Sequence, residues 1–275
     1  MPELPEVETV CRGLAGVLEG RRLARVELRR KDLRIPFPKG FAAGVEGRRV
    51  TRIHRRAKYV LMSLDDGQVV IVHLGMAGRM TITPAGAPLE KHDHVIFTTD
   101  KGVTVRFNDP RRFGLMTLAR ESELDEHKLF RHLGPDALSE TLTPDYLAAV
   151  LKGRKTSIKV ALLDQRIVVG VGNIYACEAL NRAGISPKRK AGTVTGARAR
   201  ALVPAIKGVL TQAIAAGGSS LRDHVQPSGE LGYFQDSWRV YGREGESCPC
   251  GSNSAVVKRI VQGGRSTFYC ARCQS

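Results

Sequence analysis

Long apolar runs are what this sequence most clearly lacks. The nearest approach among its 275 residues, "QVVIVHLGMAG", is short and broken by glycine, so no segment is long enough to span a bilayer. A signal-peptide pattern is missing as well. Both absences lead to the expectation of a soluble, intracellular protein with no membrane partner. No internal repeat or low-complexity segment is found, which sets aside repeat architectures. Acids are also in short supply. Lys plus Arg number 43 against 27 Asp plus Glu, giving a net charge of +16 that is spread along the whole length and not confined to a tail. A folded surface that binds a polyanion is the natural reading, and a basic protein with no nucleic-acid role is the plain alternative.

A chain of this length favours two domains over one. In "PEVETVCRGLAGVLE", residues 5–19, Val7, Val10, Cys11, Leu14, Val17 and Leu18 recur at helical spacing, and Gly20 can stop the helix. Pro5 suits the first helical position, and Glu6 and Glu8 suit the positive end of the helix dipole. Capping leaves Pro2 and Glu3 unexplained. Removal of the initiator methionine would expose Pro2 as a secondary amine, which is a nucleophile. From about residue 22 to 118 the texture is of short β-type runs separated by Asp-Gly and Lys-Gly turns, which suggests an antiparallel sandwich or barrel. Beyond "LFRHLGPDAL", where the first domain ends near residue 133, helical patterns follow: "TPDYLAAVLKG", "IKVALLDQ", "NIYACEALNRAG" and "ARARALVPAIKGVLTQAIAAGG".

Four of the six cysteines lie in the tail, as "CPCG" (Cys248, Cys250) and "CARC" (Cys270, Cys273), on either side of a hairpin-like stretch. Such pairs resemble a four-thiolate zinc ribbon, in which metal replaces a core too small to form. Disulfides are the competing reading, disfavoured in an intracellular protein. Cys248 and Cys250 have one residue between them where ribbon ligands usually have two, so strain or a weaker site is a consequence to check. Cys11 and Cys177 lie in helical patterns and read as buried small hydrophobes.

The segments "MPELPEVETV", "RRAKYV", "HLGMAGRM", "KHDHV", "NDPRRFG", "LLDQRIVVGVGNIYACEAL", "GYFQDSWRVYGREG" and "GRSTFYCARC" together, collinear along the chain, resemble the bacterial formamidopyrimidine-DNA glycosylases of the MutM type. The resemblance implies an α+β fold in three parts. These are an N-terminal helix on an antiparallel β-sandwich (1–133), a helical helix–two-turn–helix domain (134–235) and a zinc-finger β-hairpin (236–275), with DNA in the cleft between domains. It implies one structural Zn2+ on Cys248, Cys250, Cys270 and Cys273. It further implies a monomer in the bacterial cytoplasm that binds double-stranded DNA carrying a damaged base and associates with the nucleoid through that binding.

The chemistry implied is excision of oxidised purines, such as 8-oxoguanine and formamidopyrimidines, followed by β,δ-elimination of the strand. An amine attacking C1′ as the base departs leaves an iminium, which acidifies the C2′ proton. Pro2 matches that amine, Glu3 the acid/base beside it, and Glu6 a residue that helps hold the site. Lys58, in a strand-like segment, matches a lysine that assists proton transfer, and Arg265, at a hairpin tip, the arginine of the second elimination. The base must first be turned out of the helix. Met76, Arg111 and Phe113 match the wedge that fills the hole, with Arg111 reading the orphaned cytosine. His73, His92, Arg111, Arg154, Lys155 and Asn173 match contacts to the DNA backbone, while Lys159 and the loop "AAGGSSLRD" (215–223) match the lesion pocket and its cover. Two other functions fit parts of the pattern. An endonuclease VIII type of enzyme would share Pro2 and Glu3 but prefer oxidised pyrimidines, and a zinc-containing DNA-binding regulator would need neither the acid nor the wedge.

Overall fold

The computed structural model describes residues 2–84, 86–220, 225–251 and 255–275. Two compact units emerge: Met1–Arg131 with Ile214–Gln235, and His132–Ala213 with Asp236–Ser275.

In the first unit, helix α1 (Leu4–Leu18) buries Val7, Val10, Cys11, Leu14 and Leu18, the stripe its spacing predicts. Leu4 takes the first helical position and Pro5 the second, one residue later than expected, because Glu3 is the N-cap. Either position suits proline, whose missing N–H would be unpaired there in any case. At the other end Gly20 adopts φ +76°, the left-handed conformation that terminates a helix without steric cost. The strands β1 (Leu23–Leu28), β2 (Val50–Arg56), β3 (Tyr59–Leu64), β4 (Gln68–His73), β5 (Arg79–Thr83), β6 (Asp93–Thr99), β7 (Thr104–Asn108) and β8 (Leu115–Arg120) form two four-stranded antiparallel sheets, ordered β1-β6-β7-β5 and β2-β3-β4-β8. One apolar core joins residues of both sheets with α1 and with the short helix α2 (Phe41–Val45), which the sequence pattern had not indicated.

Registry fixes which ends meet. On β2, Ile53 N–H donates to Glu19 at the C-terminal end of α1, and Arg55 pairs with Glu8 near its N-terminal end. Helix and strand therefore run in opposite directions, and the turn after β2 lies at the start of α1.

The segment 214–235, expected with the helical domain, belongs by its contacts to this first unit. Ile82 N–H on the edge strand β5 donates to the Pro227 carbonyl. A Cβ at Gly13 of α1 would come within 2.9 Å of the Pro227 ring, so glycine is what lets helix and segment approach this closely.

The second unit contains α3 (Pro144–Leu151), capped by the Thr143 side chain, then α4 (Ile158–Leu162), α5 (Asn173–Arg182), most of α6 (Ala197–Ala215), and the hairpin of β9 (Val257–Gln262) and β10 (Arg265–Cys270). The hairpin packs on α5 and shares a core with it, containing Cys177, Val240, Val257 and Phe268. Gly263 and Gly264 make its two-residue turn with φ +55° and +71°, the pair of positive dihedrals that matches strand twist.

Phe97 lies wholly buried at the centre of the sandwich. Its replacement by alanine should cost about 3–5 kcal/mol, read as a lower urea midpoint with unchanged slope.

Candidate active site

The head of α1 is organised by carboxylates. Glu3 and Glu6 form a reciprocal capping box in which the Glu6 Oε2 accepts the Glu3 N–H at 2.8 Å. The other oxygen, Oε1, accepts the Ser219 N–H at 2.9 Å. Glu6 thus ties the N-terminal residues to the segment that follows α6, and it does so while 3% exposed. Pro2 and Glu3 are likewise buried. Met1 lies outside the described residues, as do Leu221–Asp223 of the expected covering loop. Of that loop, Gly217 and Gly218 take φ +78° and +84° and Ser219 bridges to Tyr233.

Lys58 is not in a strand. It occupies the two-residue turn between β2 and β3 with Ala57, a non-glycine residue at φ +57°. Arg55 holds this turn, donating to Glu8 on α1 at 3.0 Å and to the Ala57 carbonyl at 3.0 Å. Since the turn lies at the start of α1, Lys58 is delivered to the same end as Pro2 and Glu3. Tyr59 pairs with His73, and His73 with Leu115, so the loops "LGMAG" and "DPRRFG" meet the β2-β3-β4-β8 sheet at this same end of its strands.

Burial, reinforced by the Lys58 and Arg34 charges, pushes the His73 imidazole down to about 4. The ring is therefore neutral at pH 7. Its Nδ1 accepts the Gly75 N–H at 3.0 Å, which assigns the proton to Nε2 and makes that edge a donor. Met76 and Phe113 are among the exposed large hydrophobic residues of the molecule, at 39% and 45%. Arg111 lies over the Phe113 ring at 5.0 Å. His92 is half-buried beside His94.

In the second unit, Asn173 opens α5, but its cap is Gly172. The Asn173 side chain donates instead to the Ser266 carbonyl at 2.9 Å, next to the exposed Arg265 on the hairpin. Arg154 and Lys155 are exposed after α3, whereas Lys159 is wholly buried in α4.

The sulfurs of Cys248, Cys250, Cys270 and Cys273 all lie within 4.8 Å of one another, and Cys248 and Cys273 are 3.8 Å apart. A tetrahedron with Zn–S near 2.3 Å has edges of roughly 3.8 Å, so the one-residue spacing of Cys248 and Cys250 does not prevent four-thiolate coordination. Asn181 on α5 approaches Cys273 Sγ at 3.7 Å and donates to Gln274 at 3.1 Å, bracing the metal knuckle. The protein holds one structural zinc here.

Two measurements test this geometry. Chelation should unfold the hairpin and displace Arg265 while the sandwich persists, seen as loss of ordered NMR signals for 248–273 alone. For His73, whose folded value lies below its ordinary 6.5, the stabilising contribution is complete above that pH and is lost as pH falls toward about 4, because the unfolded chain takes up the proton first. Unfolding free energy should therefore decline over this window in the native protein and decline less in His73→Asn.

A family model described as the formamidopyrimidine-DNA glycosylase N-terminal domain matches residues 1–116, that of the formamidopyrimidine-DNA glycosylase H2TH domain matches 133–225, and that of a zinc finger found in FPG and IleRS matches 255–275. The formamidopyrimidine-DNA glycosylase of Ruegeria pomeroyi is 56% identical over the whole of both chains. Among solved structures, the MutM (FPG) protein of Thermus thermophilus is 40% identical with a TM-score of 0.88, covering 99% of this chain and 98% of that one. A variant of the Lactococcus lactis FPG in complex with a Fapy-dG-containing DNA is 30% identical with a TM-score of 0.92, covering both chains completely. Among the described residues no helix is long and apolar enough to cross a membrane. The chain belongs to the formamidopyrimidine-DNA glycosylase family.

Proposed function

We propose that the chain excises oxidised purines from duplex DNA and then cuts the strand, with the Pro2 amine as nucleophile once Met1 is removed. The observation that carries this reading is the Glu6 carboxylate, which fixes the Glu3 N–H and hence the residue preceding it at the head of α1. The Pro2 nitrogen attacks C1′, the C1′–N bond to the base breaks, and the departing base takes up a proton. Glu3 acts as the acid/base in this exchange. The sugar ring then opens at the C1′–O4′ bond, O4′ taking up the proton that the Pro2 amine loses, and the iminium so formed makes the C2′ proton acidic. Its loss expels the 3′ phosphate in the first elimination, and a second elimination expels the 5′ phosphate, with Arg265 neutralising the leaving group. Lys58, delivered to the same end of the sandwich, assists proton transfer.

Extruding the nucleotide requires a wedge and a grip. Met76 and Phe113 are the exposed apolar members of the wedge, and Arg111 the cation that reads the opposite base. His73 through Nε2–H, His92, Arg154, Lys155 and Asn173 hold the backbone, and Glu6 with Ser219 places the segment near the base pocket. Lys159 serves the lesion pocket from its buried position in α4. The enzyme works as a monomer on nucleoid DNA in the cytoplasm, all its proposed contacts coming from one chain.

Borohydride added during turnover should trap a protein–DNA adduct whose linked peptide begins at Pro2; an adduct at Lys58 would overturn the assignment. Met76→Ala should slow excision from a lesion duplex, where base opening costs a few kcal/mol, and leave cleavage of a pre-formed abasic site nearly unchanged. Arg111→Ala should lose roughly 1–3 kcal/mol of discrimination for cytosine opposite the lesion. Single-turnover rates on the paired substrates check both.

A further inference from the structure

We propose that Asp109 is the positioning residue of the wedge, a single buried carboxylate that gives Arg111, Phe113 and Met76 their common geometry. The inference rests on reading those three residues as the wedge.

Asp109 stands between β7 and β8 and is 0% exposed, so it can touch neither DNA nor solvent in this arrangement. Both oxygens of its carboxylate are turned to the loop it begins. Its carboxylate accepts the Arg111 N–H through Oδ1 at 3.3 Å and the Gly114 N–H through Oδ2 at 2.8 Å. Its carbonyl accepts the Arg112 N–H at 3.2 Å and the His94 Nε2–H at 2.9 Å, and its own N–H donates to the His92 carbonyl at 3.1 Å. Between the two carboxylate bonds lies Arg112 at φ +55°, a conformation that an arginine adopts only under constraint. The loop 109–114 is thereby closed on one acid into one shape.

That shape extends to Met76 by direct backbone packing. A Cβ on Gly114 would lie 2.6 Å from the Phe107 ring, 2.9 Å from the His73 carbonyl and 3.0 Å from Asp109 Oδ2. A Cβ on Gly75, the residue before Met76, would lie 2.4 Å from both Gly114 N and the Phe113 carbonyl carbon. The two loops interlock through glycines with no side chain between them. Displacing the Phe113–Gly114 peptide must displace Gly75 and with it Met76.

The test uses the full-length zinc-loaded protein and two variants, Asp109→Asn, which keeps the volume but one acceptor oxygen, and Asp109→Ala. Single-turnover rates are taken on a lesion duplex with cytosine or adenine opposite and on a pre-formed abasic duplex, with Tm recorded and Met76→Ala run alongside. Loss of charge-assisted bonds to the loop should lower lesion excision about tenfold or more in Asp109→Ala, lower abasic cleavage less than about threefold, and flatten the cytosine preference, with Asp109→Asn intermediate. Equal loss on both substrates that follows Tm would make Asp109 merely structural and overturn the inference, as would unaltered rates in Asp109→Asn together with an unfolded Asp109→Ala. If Met76→Ala separates the substrates and the Asp109 variants do not, this inference alone fails. If Met76→Ala does not separate them, the wedge reading fails and the role of Asp109 fails with it.

Discussion

One carboxylate, that of Glu6, sets the position of the N-terminus on which the proposed chemistry depends. A chain terminus ordinarily frays, because nothing opposes its conformational entropy. Here the residue after Pro2 is a helix cap whose N–H is held by Glu6, and the second oxygen of the same group holds Ser219. The bonds are charge-assisted and shielded from water, which is where such bonds are strongest. Helix start, proposed nucleophile and the segment that follows α6 are then parts of one hydrogen-bonded unit. The hydrophobic stripe of α1 fixes the rest: once Val7, Leu14 and Leu18 are in the core, the helix can neither slide nor rotate.

The β-sandwich supplies the remaining groups by registry. Lys58, the stretch from His73 through the Met76 loop, and the loop that carries Arg111 and Phe113 are three separate stretches of chain, yet all lie at the same end of one sheet. Burial, aided by the Lys58 and Arg34 charges at that end, holds the His73 pKa low. The second unit answers a different constraint. Its hairpin has a small apolar core, so four thiolates around zinc supply the cohesion that area alone cannot, and Asn173 and Asn181 on α5 fasten the hairpin at Ser266 and Gln274.

Much of this was legible in the sequence, for identifiable reasons. The α1 stripe, the stop at Gly20, the strand runs and the cysteine pairs each rest on a local rule, and the structure follows each of them. What was not legible depends on contacts between residues far apart in sequence. Lys58 reads as a strand residue because its neighbours are β-formers, and only the pairing of Arg56 with Tyr59 makes it a turn. The segment 214–235 reads as the end of a helical domain, since nothing local tells that Ser219 and Pro227 bond to Glu6 and Ile82. Asn173 reads as a contact to the DNA backbone, and only the fold shows that Gly172 caps α5 and that the Asn173 amide reaches Ser266 on the hairpin. Asp109 is singled out by no local rule, and the number of backbone groups it serves emerges only in three dimensions.

The central claim is that a free amine at Pro2, held at the head of α1, performs both base excision and strand cleavage. The most direct test compares the protein from which Met1 has been removed with the same chain retaining it, the state of each established by intact mass. The account predicts that the Met1-bearing chain keeps its fold, zinc and DNA affinity but loses excision and cleavage together, because its Pro2 nitrogen is an amide. Equal activity in the two forms would contradict it.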